Sequence, residues 1–90
     1  MTTEPELDVR RKRLKFRAWH RGMREVDLIL GSFADQYVAG FDAAELSQFE
    51  TVLAFEDPEL YDWVTGKLQP PAEHIGSVMQ LLLNFKYKAQ

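Results

Sequence analysis

The sequence predicts an all-α fold, a compact five-helix bundle in a single domain, and three observations predict it. Apolar residues recur at helical spacing in every segment, and no stretch keeps a period-two alternation for long. Helix starts and stops are marked by capping residues, prolines and glycines. With 90 residues and no cysteine, one modest hydrophobic core must stabilise the chain without disulfides.

The first helix is expected from about Leu7 to His20, with Leu7, Leu14 and Ala18 on one stripe and Phe16 and Trp19 beside it. Residues 1–6, acidic and proline-containing, read as a disordered N-terminal tail ahead of a domain spanning residues 7–88. The second helix should cover about Met23 to Val38. Its Val26, Ile29, Leu30, Phe33 and Tyr37 fall on one apolar face, and Gly40 is the natural stop.

Asp42-Ala-Ala-Glu45 reads as a capping box opening the third helix, whose stripe is Leu46, Phe49 and Leu53, with Val52 and Phe55 alongside. A short fourth helix is expected with Asp57 as N-cap, Pro58 in the first turn, Leu60, Trp63 and Val64 inward, and Gly66 at its end. After Pro70 and Pro71, a fifth should run from about Ala72 to Tyr87. It turns Ile75, Val78, Met79, Leu82 and Phe85 inward, with Lys86 and Lys88 at the negative end of its dipole.

Composition narrows the function classes. An apolar share of 46% with 28% charged residues is ordinary for a globular domain. Apolar runs such as Leu81–Leu83 fall far short of the ~20 residues of a membrane span. The start of the chain lacks the basic and apolar regions of a secretory signal and is too acidic for a mitochondrial presequence. A bacterial cytoplasmic location is the expectation.

Charge is sharply segregated. Arg10 to Arg24 contains eight basic residues and no acidic one, and Glu25 to Gly66 contains ten acidic residues and no basic one. The boundary falls at Arg21-Gly22-Met23-Arg24-Glu25. If the first helix ends near Arg21 and the second begins after Gly22, Arg21 meets a negative helix end and Glu25 a positive first turn. Gly22 then supplies the corner and permits close backbone approach.

Competing chemistries are thinly represented. The basic run could neutralise several phosphates. The chain as a whole carries a net charge of −3, however, and its acidic segment would repel a nucleic acid backbone. Neither nucleic acid binding nor membrane insertion is expected. His20 and His74 stand far apart with no carboxylate at ligand spacing, so no metal site is expected. No serine or threonine lies in a nucleophile-elbow context and no Gly-rich loop follows a strand, so no catalytic residue is assigned. Asp57, Glu59 and Asp62 form an acidic knob in which capping accounts for Asp57. Trp19 and Trp63 suit either the core or an interface.

The stretch Phe16 to Leu30, built around Arg21-Gly22-Met23-Arg24-Glu25, resembles the RGxxE region of the succinate dehydrogenase assembly factors, the SdhE/Sdh5 flavinylation-factor family. The likeness continues through Phe33 and Glu56-Asp-Pro-Glu-Leu-Tyr-Asp-Trp63, and spans roughly residues 10 to 86. The resemblance implies an assembly factor rather than an enzyme. Members promote covalent attachment of FAD to a histidine of the flavoprotein subunit of succinate dehydrogenase, and in some bacteria of fumarate reductase. Arg21, Gly22, Met23, Arg24 and Glu25 are then the partner-binding residues. FAD is handled through the partner and not bound stably by this chain, which is a monomer when free. The alternative from the residues alone is a generic helical interaction module, or a nucleic acid module using the basic first helix.

Overall fold

Thr3 opens the first helix, accepting a hydrogen bond from the Glu6 amide through its hydroxyl at 3.4 Å. In the computed structural model, which describes residues 3–85, α1 runs Glu4–Trp19. The expected tail is therefore corrected at residues 4–6, which are helical. Pro5 lies in the first turn, Glu4 and Glu6 complement the positive helix end, and Glu4 and Asp8 both accept from Arg11 Nη1, at 3.1 and 2.8 Å. Those bonds, Glu4's first, raise the Arg11 pKa above its ordinary value, and Arg11 Nη2 donates to the Phe41 carbonyl at 2.8 Å.

Leu7, Leu14 and Ala18 are buried as their spacing predicts. Phe16 is not beside them. At about 100° per residue it falls on the opposite side of α1, and it is 65% exposed. Trp19 is half-buried and lies over Gly31 of α2 (Arg24–Tyr37), donating from Nε1 to Asp35 at 3.3 Å. A Cβ at Gly31 would stand 2.1 Å from the indole Cδ2, so only glycine lets the two helices approach this closely.

α2 buries Val26, Leu30 and Phe33 and half-buries Ile29 and Tyr37. A 3-10 turn, Val38–Gly40, follows it. α3 (Ala43–Leu53) opens on the expected capping box. The Asp42 carboxylate accepts from the Glu45 amide at 2.9 Å, and the Glu45 carboxylate from the Asp42 amide at 3.0 Å. Phe33 gathers Tyr37, Phe41, Phe49 and Phe85 around it at ring-centroid distances of 4.9–6.3 Å.

Two expectations are corrected further along. In α4 (Asp57–Val64) the N-cap position belongs to Glu56, and Asp57 is the first helical residue with its carboxylate engaged elsewhere. The continuous fifth helix is broken as well. A 3-10 turn, Ala72–His74, gives way to extended backbone at Ile75 and Gly76 before α5 (Ser77–Asn84). Gly76 has no side chain to cap α5, and Gln48 of α3 does so instead. Its Oε1 accepts from the Val78 amide at 3.0 Å and the Ser77 hydroxyl at 3.3 Å. The expected continuation to Tyr87, with Lys86 and Lys88, lies outside the described residues.

α1 packs on α2 and α3, α3 on α5, and α4 on both α2 and α5. There is no strand among the described residues, and no helix there is long and apolar enough to cross a membrane.

Candidate functional site: the corner between α1 and α2

Between Trp19 and Arg24 the chain turns through Gly22, whose φ is +108°. A side chain at this φ is disfavoured by its own backbone. The surrounding space is open, because a Cβ at Gly22 would meet nothing within 4 Å. The glycine requirement here comes from the turn itself.

Arg21 holds the turn from inside, and it points away from solvent. Nε donates to Asp57 Oδ1 at 2.6 Å, Nη1 to the Leu53 carbonyl at 2.6 Å, and Nη2 to the Phe55 carbonyl. Its side chain is 11% exposed. Leu53 is the last residue of α3 and Asp57 the first of α4, so one guanidinium satisfies carbonyls left over at a negative helix end while pairing with an acid at the next helix start. The Arg21 amide donates to Asp27 Oδ1 at 2.8 Å, which ties the turn to the first turn of α2 as well. Arg21 does meet a negative helix end, but it belongs to α3 and not to α1.

The other four residues of the segment divide differently. Met23 takes the N-cap position of α2 in extended conformation, makes no side-chain cap bond, and rests half-buried against the core. Gly22, Arg24 and Glu25 are exposed. Glu25 lies in the first turn of α2, as its charge favours. Among the described residues neither Arg24 nor Glu25 makes an ion pair. The corner therefore presents one free base and one free acid side by side at the start of α2, just past the glycine turn. Beside it, Arg17, His20, Arg21, Glu56 and Asp57 line a polar depression of about 260 Å³.

The structure sorts the basic run into paired and unpaired cations. Arg10 faces Glu50 at 3.7 Å and Ser47 at 3.2 Å, Lys15 faces Asp35 at 3.6 Å, and Arg11 is held by Glu4 and Asp8. Lys12, Arg13 and Arg17 are exposed and have no acidic partner among the described residues. His20 stacks on Phe16 with ring centroids 4.2 Å apart. His74 lies against Phe55, at 4.9 Å, beside Glu73. Trp63 is a core residue.

Sequence reading missed Asp27 and Asp57 as members of this corner. Asp27 lies two residues past Glu25 and accepts from a backbone amide, which carries no residue-type signature. Asp57 had a sufficient local explanation as a cap, which concealed its partner 36 residues upstream.

Fold and corner together define a small helical domain that presents charged groups beside a turn held from inside by Arg21. The model of one protein family, described as the flavinator of succinate dehydrogenase (Sdh5), matches residues 12–86. The chain belongs to that family. It is 46% identical over 70 residues to the FAD assembly factor SdhE of Acetobacter pasteurianus, covering 78% of this chain and 64% of that protein. It is 35% identical over 78 residues to the mitochondrial succinate dehydrogenase assembly factor 2-B of Drosophila mojavensis, covering 84% of this chain and 50% of the relative. The corresponding factor of Dictyostelium discoideum is 32% identical over 77 residues, covering 86% of this chain and 55% of the relative. The chain thus spans less than two thirds of the length of each of these relatives.

Proposed function

We propose that this protein is an assembly factor that promotes covalent attachment of FAD to the flavoprotein subunit of succinate dehydrogenase, and of fumarate reductase where an organism has one. The observation that carries the reading is the division of labour at the corner. Arg21 is committed to holding the turn, while Arg24 and Glu25 are exposed and unpaired beside Gly22. Membership of the family and the names of the relatives support succinate dehydrogenase as the client.

The mechanism is binding, with the covalent chemistry left to the client. Gly22 lets a foreign backbone come close, and Glu25 and Arg24 form charge-assisted bonds across the interface. Such bonds strengthen once water is excluded. The factor binds the client conformation in which flavin and histidine are aligned, and raises its population by the difference in affinity for that state. Arg21 is a positioning residue here, acting through the turn it fixes. FAD stays with the client.

The test is co-expression of the client subunit with and without this protein, followed by in-gel flavin fluorescence and a pull-down. Covalent flavin in the client only when the factor is present supports the reading. Equal flavinylation without it, and no co-purification of the client, removes it.

A further inference from the structure

The outer face of α1 has no role in the fold. Val9 and Phe16 lie on the side of α1 away from Leu7, Leu14 and Ala18, and they are 55% and 65% exposed. Phe16 is held in place by its stack on His20, with the rings 32° apart. Around these two apolar groups stand Lys12, Arg13 and Arg17, the cations of α1 without an acidic partner among the described residues. At its C-terminal end this strip runs directly into the turn of Gly22.

We infer that the outer face of α1 is a second docking strip, in which Phe16 enters an apolar pocket rimmed by carboxylates on the same flavoprotein client. The inference rests on the function proposed above and extends its interface from the corner along one helix. Charge complementarity sets the chemistry of the partner surface: three uncommitted cations around one aromatic ring call for acids around an apolar hole. A buried aromatic flanked by arginine is the usual composition of an interface hot spot. An anionic membrane would need a broader apolar face than Val9 and Phe16 provide. Duplex DNA would meet Glu56 and Asp57, which line the depression beside Arg17 and His20.

Three full-length variants test it: Phe16→Ser, the charge reversal Arg13→Glu with Arg17→Glu, and Glu25→Ala as a probe of the corner. Affinity for the purified flavoprotein subunit is measured at low and high salt, with helicity and denaturation midpoint recorded for each. Phe16→Ser should weaken binding about tenfold or more while folding like the parent. The charge reversal should weaken binding at low salt and flatten its salt dependence. If both bind within about twofold of the parent while Glu25→Ala does not, the strip is idle and the corner reading survives alone. If the parent itself fails to bind the subunit, both readings fall. Binding of the parent to phosphatidylglycerol vesicles or duplex DNA instead, lost on charge reversal, overturns the assignment to a protein surface.

Discussion

Two junctions in this molecule are closed by a side chain that arrives from a distant part of the sequence. At one, Arg21 satisfies the carbonyls ending α3 and pairs with Asp57 at the start of α4. At the other, Gln48 of α3 accepts from the Val78 amide and the Ser77 hydroxyl at the start of α5. The physical device is the same, a remote polar group meeting backbone atoms that helices leave unsatisfied. The surroundings differ. Gln48 is neutral, and Glu73, which lines the depression beside it, lies 3.8 Å from His74 Nε2. Arg21 is followed within four residues by an exposed arginine and an exposed glutamate with no partner of their own. A helix junction closed from afar is therefore ordinary architecture. The free charge left beside one of them is what singles it out as a site.

Substitutions can break this contrast or sharpen it. Arg21→Ala should have the largest effect, destabilising the domain by about 3 kcal/mol, because two carbonyls and the Asp57 carboxylate lose their partner together. Urea unfolding reads this, and flavinylation should fall with it. Gly22→Ala should cost about 1–2 kcal/mol, through the positive φ and not through crowding. Client binding should fall further than that fraction unfolded explains. Gln48→Ala should destabilise by about 1 kcal/mol and leave affinity for the client, measured per folded molecule, unchanged. A loss of affinity there would erase the distinction between the two junctions.

Local signals were legible in the sequence and long-range ones were not. The Asp42–Glu45 capping box, the apolar face of α2 and the turn at Gly22 all depend on residues a few positions apart, so spacing reveals them. α1 began earlier than its apolar stripe because Thr3 and the Glu4, Asp8 and Arg11 cluster stabilise its polar first turns. The fifth helix broke because its cap came from Gln48, a residue with no mark of that role in its own neighbourhood. At the candidate site, the residue types and the glycine were readable, but the inward turn of Arg21 was not. Its partners lie 32 to 36 positions away, and two of them are carbonyls, which carry no residue-type signature. Phe16 was misplaced although its signal was local: at about 100° per residue it falls opposite Leu7, Leu14 and Ala18, so the spacing of α1 itself puts it on the outer face.

The smallest effect on stability belongs to the most direct test. Glu25 is exposed and unpaired, so Glu25→Ala should unfold within about 0.5 kcal/mol of the parent. If the corner docks through its free charges, the same variant should lose affinity for the flavoprotein subunit and leave the co-expressed client largely without covalent flavin. Parent-like stability together with parent-like flavinylation would contradict the account.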